Sequence, residues 1–242
     1  MFWFQSGMVF LPALLVIWSS SNFIVSYVVA IYRNDVDVVF PYISDTGAEP
    51  PESCIFGFMT SVTAFLASGT MYARYKFVQR LGEDVGSVRS RLNHAALGLG
   101  LVSCLGMCIV GTFQETMVTW VHDTGALLFF GTGVFYAILQ AAISYQMRPY
   151  GSALCVCHTR TAFAVISLLA VLIAVISGGL VKGTKLHRKP SDEDYTVHLL
   201  SAVCEWIVAF SFVLFFLTYI PDFKSVTLKS HEKPHVGGLN SL

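Results

Sequence analysis

Charge is what this sequence has least of. Only 12% of its 242 residues are Asp, Glu, Lys or Arg, about half the roughly 25% usual for a soluble domain. So little charge in a chain of this size excludes an ordinary soluble enzyme and a disordered, highly charged tail protein. Lys+Arg and Asp+Glu stand at 15 each, so there is no basic excess to neutralise phosphates, and nucleic acid is not expected as a partner. The six cysteines make no disulfide framework, because Cys104, Cys108 and Cys204 fall inside apolar runs. No Asn-x-Ser/Thr sequon occurs. Metal-ligand spacing is also missing: Cys155-Val-Cys157-His158 departs from the usual zinc pairs. With no nucleophile motif either, the chain is expected to be no enzyme and to carry no metal or cofactor.

What is abundant is apolar sequence. Hydrophobic residues make up 55% of the chain and the mean hydropathy is +0.64. They concentrate in six windows, about 8–32, 53–73, 92–112, 124–145, 161–181 and 195–219. Each reaches the roughly 20 residues that a helix needs to cross the hydrocarbon core. Continuous apolar runs suit helices, whose backbone groups are satisfied internally, rather than the alternating strands of a barrel. The expected fold is therefore all-α, a polytopic membrane protein built as a six-transmembrane-helix bundle. Residues 1–220 form its one membrane domain, and 221–242 a short tail expected to be disordered.

Orientation follows from the basic residues. Ten of the 15 Lys and Arg fall in the second and fourth connections and the C-terminal tail, whereas ten of the 15 acids fall in the first, third and fifth connections. Both termini are thus expected in the cytosol, and the opposite face is acidic and lumenal or external. Small residues at four-residue spacing, Gly133, Ala137 and Ala141 in the fourth span and Ala96 and Gly100 in the third, suit close helix packing. Ser19, Ser20, Ser21 and Asn22 are expected to face the bundle from the first span.

Glu205 stands out among the residues able to carry chemistry. It lies about ten residues, roughly 15 Å, into the sixth span. An acid at that depth is costly and faces partners or water. His198, seven residues earlier, projects from the same helix face, and the two form a candidate intramembrane polar site. The plainer reading of Glu205 is a protonated acid bonded to a neighbouring helix. Asp45, Glu52, His122 and Asp123, with Glu115, form a candidate lumenal cluster, in which histidines would take up protons in an acidic compartment. Asp123 also suits a plain N-cap of the fourth span. The first lumenal connection, with Pro50 and Pro51 and the turn chemistry of Asp45–Gly47, is expected to fold back over the bundle through Tyr42 and Ile43.

On the cytosolic side, Tyr75-Lys76-Phe77-Val78 matches a short endolysosomal sorting pattern, with Tyr75 and Val78 as its defining residues. Arg74, Lys76, Arg80, Arg89 and Arg91 more simply anchor the connection at anionic headgroups. Cys155 and Cys157 are candidates for palmitoylation beside the membrane. Membrane lipids are the expected partners, together with proteins at the cytosolic connections. Nothing in the sequence sets the oligomeric state.

Longer motifs carry a resemblance. Pro41–Gly47 (PYISDTG), Pro51-Glu52, Phe56–Met59, Met71–Lys76, Phe113–Glu115 and His122-Asp123 resemble the damage-regulated autophagy modulator family of six-span membrane proteins. So do Asp194-Tyr195, His198, Ser201-Ala202, Cys204–Trp206, Phe216–Ile220 and Asp222–Leu228. The FGFM stretch and the short tail look more like the first-described member, and Trp3–Gln5 more like its longer paralogue. The resemblance implies a lysosomal membrane protein that promotes autophagy and is linked to stress-induced cell death. It supplies no catalytic residues. A proton-coupled lipid-handling protein or transporter, using Glu205 and His198, is the alternative.

Overall fold

A computed structural model describes residues 8–85, 90–183 and 186–224. Helices account for the regular structure of these residues: α1 (Phe10–Arg33), α2 (Glu52–Val85), α3 (Ser90–Thr112), α4 (Thr119–Ala126), α5 (Thr132–Gln146), α6 (Leu154–Gly178), α7 (Tyr195–Leu217) and α8 (Ile220–Phe223). A π-turn, Leu127–Gly131, joins α4 to α5, so both belong to one long fourth span, and a 3₁₀ turn covers Asp45–Gly47. Six helices are long and apolar enough to cross a membrane, which gives a multi-pass membrane protein. α1 packs on α2, α2 on α3, α3 on α5, α5 on α6, α6 on α7, and α7 back on α1. The spans thus close into an up-and-down ring. One end bears the termini of the described chain, at the start of α1 and in α8, with the end of α2, the start of α3 and connection 147–153. The other bears connections 34–51, 113–118 and 179–194, here loops 1, 3 and 5.

Several boundaries differ from the sequence reading. α2 runs on for another 12 residues past the expected end of the second span, because the charged stretch that follows contains no Gly or Pro until Gly82. α6 starts at Leu154, so Cys155, Cys157 and Arg160 ride on a helix. α4 starts at Thr119 after Val118. Asp123 therefore sits inside a helix rather than capping one. Most of the tail expected to be disordered, 225–242, lies outside the described residues.

Small residues set the close approaches. A Cβ on Gly133 would run into the Phe212 ring and the Ser103 hydroxyl, and one on Gly100 into Met71 and Tyr136. Gly106 lies against the backbone of Gly125 and Phe129. There the π-turn departs from the regular helix ladder, and Ser103 Oγ–H donates to the Phe129 carbonyl at 2.7 Å. Of the polar run in α1, only Ser19 and Asn22 are buried, since four consecutive residues cannot share a helix face. Asn22 donates to Thr60 Oγ1 at 2.9 Å, while Ser21 bonds its own helix at the Ile17 carbonyl.

Candidate functional site

Loop 1 folds back onto the bundle, as its prolines and apolar residues predict. Ile43 packs with Phe56 of α2 and Ala209 of α7, flanked by Phe23, Val110 and Trp206. Trp206 Nε1–H donates to the Pro41 carbonyl at 2.9 Å, and Thr46 Oγ1–H reaches Ser26 Oγ of α1 at 3.1 Å. Gly47 leaves room for the Phe56 ring, which any Cβ there would strike.

Three carboxylates hold the segment between these anchors. The Tyr42 N–H donates to Asp45 Oδ2 at 3.1 Å, the Ile43 N–H to Glu205 Oε2 at 3.0 Å, and the Ser44 hydroxyl to Glu115 Oε2 at 2.9 Å. The donors belong to consecutive residues, about 3.8 Å apart along the chain. Acids from loop 1, loop 3 and α7 therefore converge on one short stretch. Among the described residues no Lys or Arg lies within ion-pair distance of any of the three. His122 comes nearest, with Nε2 at 4.0 Å from Glu115 Oε2. Its Nδ1–H donates to the Phe113 carbonyl at 2.7 Å, which leaves Nε2 as the bare nitrogen of the neutral ring.

Burial raises the proton affinity of the two loop acids. Asp45, 3% exposed, is pushed well above the usual carboxylate range by desolvation and then by the charges of Glu115 and Glu205. Glu115 is also pushed up by desolvation, and His122 partly opposes the shift. Asp194 shows the opposite case in loop 5. The Lys182 backbone N–H and the Arg188 guanidinium, at 2.8 and 2.7 Å, hold its pKa at about 2.

The remaining sequence candidates separate. His198 and Glu205 share a face of α7 but touch different residues of the loop: the His198 ring meets Tyr42 edge-on at 4.7 Å, and Glu205 binds Ile43. The loop joins them, with Ser201 between them donating to the Ala174 carbonyl. His198 also lines a cavity of about 260 Å³ with Asp37, Asp45, Arg188 and Tyr195. Its Nε2 is buried without a hydrogen-bond partner. Glu52, 1% exposed, sits apart from the cluster, 3.5 Å from Arg33 Nε. Asp123 is exposed on α4.

At the end bearing the termini, Arg74 is not a headgroup anchor. Arg74 and Arg160 are fully buried and converge on Asp222 Oδ2 at 2.6 and 2.7 Å. Gln140, Ser144, Ser152 and Thr218 satisfy the rest of both guanidinium groups, and Tyr219 lies beneath both. Sequence reading missed this cluster: each charge stands near the end of an apolar run, where anchoring is the ordinary explanation. Tyr75 bonds His94 at 3.0 Å, but Val78 is buried in α2, so the pair is not presented together to a partner. Cys155 is exposed and Cys157 buried. Among the described residues no group of three or more His, Cys, Asp or Glu is placed to hold a metal ion.

The fold and the carboxylate-bound loop can now be set beside known proteins. Residues 7–226 match the family profile described as the Frag1/DRAM/Sfk1/Cwh43P N-terminal domain. The chain belongs to this family. It is 50% identical over 226 residues to DNA damage-regulated autophagy modulator protein 1 of Mus musculus, covering 93% of this chain and 95% of the relative. The Homo sapiens protein 1 matches equally, at 50% over the same length and coverage. Protein 2 of Homo sapiens is 41% identical over 249 residues, covering 97% of this chain and 91% of that protein. No solved structure matches. The resemblance read from scattered motifs thus extends over almost the whole chain, and the motif PYISDTG is the segment that the three carboxylates hold.

Proposed function

We propose that the chain is a non-enzymatic regulator in the lysosomal membrane that promotes autophagy and supports stress-induced cell death, with both termini in the cytosol and loops 1, 3 and 5 in the acidic lumen. Relatives named as DNA damage-regulated autophagy modulators support the process. One observation carries the site-level reading: Asp45, Glu115 and Glu205 converge on Tyr42–Ser44 without a contacting Lys or Arg among the described residues. Such a group of acids is least costly where protons are plentiful. The excess of basic residues at the opposite end agrees with the orientation.

Autophagic flux in cells lacking the protein tests this, with rescue by wild type or Glu205→Gln at matched lysosomal levels. Wild type is expected to accumulate in lysosomes and restore flux, with Glu205→Gln weaker. A chain confined to the plasma membrane and without effect on flux would overturn the reading. His198 and its cavity favour a second reading, proton-coupled handling of a lipid or small solute. That reading requires pH-dependent uptake or lipid binding in reconstituted vesicles, lost on His198→Ala.

A further inference from the structure

Three anchors of loop 1 end on a carboxylate, a group whose state differs between acid and neutral water. Tyr42, Ile43 and Ser44 each donate to a different carboxylate, while the Ile43 side chain, Thr46 and the Trp206 bond to the Pro41 carbonyl add contacts that carry no titratable group. A carboxyl group accepts these hydrogen bonds whether or not it carries a proton, since one oxygen remains an acceptor. Protonation therefore does not break the anchors. Ionisation of all three acids keeps the bonds too, but adds mutual repulsion in a buried, poorly screened place. We propose that loop 1 is a proton-closed cap: with protons on the carboxylates Tyr42–Asp45 stays fixed to the bundle, and without them it loosens.

The surroundings of the cluster support this sign. From loop 1 itself come Tyr42 and Asp45, from loop 3 Glu115, and from α4 His122 and the exposed Asp123. α7 contributes Glu205 and His198. Loop 5 contributes Arg188, whose charge acts on Asp45 and Glu115 from a distance but whose guanidinium is committed to Asp194 and to the Gly183 carbonyl, at 2.7 Å each. On the α2 side Glu52 lies 3.5 Å from Arg33 of α1, and α1 also contributes the Ser26 hydroxyl, which meets Thr46, and the Tyr27 hydroxyl, which donates to the Val38 carbonyl. His122 Nε2 faces Glu115 Oε2 at 4.0 Å.

The proton affinities of Asp45 and Glu115 are raised in the fold, so their stabilisation is full below the ordinary carboxylate range of about pH 4 and is lost as pH rises through the raised values. The cap is therefore tight in an acidic lumen and loose at neutral pH, before the chain reaches such a compartment. The proposal rests on the lumenal placement of loop 1 for its cellular meaning, but not for its test.

Hydrogen exchange on the purified full-length chain in nanodiscs, at pH 5 and pH 7.5 and corrected for intrinsic exchange rates, provides that test. Amides of residues 42–48 are expected to be several-fold better protected at pH 5 than at pH 7.5. The triple variant D45N/E115Q/E205Q keeps the acceptors and removes the charges, and is expected to be equally protected at both pH values. If that variant does not fold, E115Q and E205Q singly are each expected to shrink the step. Equal wild-type protection at the two pH values, or an unchanged step in the neutral variants, would overturn the proposal. A pH step without rescue of flux in cells would instead count against the autophagy reading and leave the cap standing.

Discussion

The two ends of this bundle bury charge in opposite ways. At the end bearing the termini, Arg74 and Arg160 enclose Asp222, and the surrounding hydroxyl, amide and carbonyl groups satisfy both guanidiniums. At the other end three acids hold a loop, and no arginine or lysine among the described residues touches them. The first arrangement pairs its carboxylate with two permanent cations, since arginine stays charged. The second stores a dependence on protons. A buried charge with a permanent partner builds structure, while one whose partner is a proton ties structure to its compartment.

Breaking the compensated end has the largest effect. Asp222→Ala strands two buried guanidiniums and is expected to cost about 3–5 kcal/mol, seen as a large fall in melting temperature at pH 5 and pH 7.5 alike. Glu115→Gln sharpens the comparison from the other side. It is expected to raise the melting temperature at pH 7.5 and change it little at pH 5, because the cost of burying an ionised carboxylate, and with it the repulsion in the cluster, is removed only where the acid would be charged. Trp206→Phe removes the bond to the Pro41 carbonyl without touching a titratable group. It is expected to cost about 1 kcal/mol and to weaken protection of loop 1 equally at both pH values.

Spans were legible in the sequence because length and apolarity decide them. Glu205 was legible for the converse reason, as the lone acid within an apolar run. The folding back of loop 1 could be read from Pro50, Pro51, Tyr42 and Ile43. What it folds onto could not, since Ile43 meets Glu205 across 162 positions of chain. Glu52 and Asp123 stand near Asp45 and His122 in the linear order of the connections, yet helix phase turns them elsewhere. The Arg74–Arg160–Asp222 cluster was invisible for a different reason. Charges at span ends usually meet headgroups, and only closure of the ring turns these inward.

Acid dependence of global stability tests the central claim most directly. Melting temperatures of the wild-type chain and of D45N/E115Q/E205Q would be compared in one detergent between pH 7.5 and pH 5. The wild type is expected to gain stability as pH falls through this range, and the neutral variant to stay flat at or above the wild-type acid value. A wild type that is flat or loses stability on acidification, or a variant that follows it in parallel, would contradict a cap held by protons.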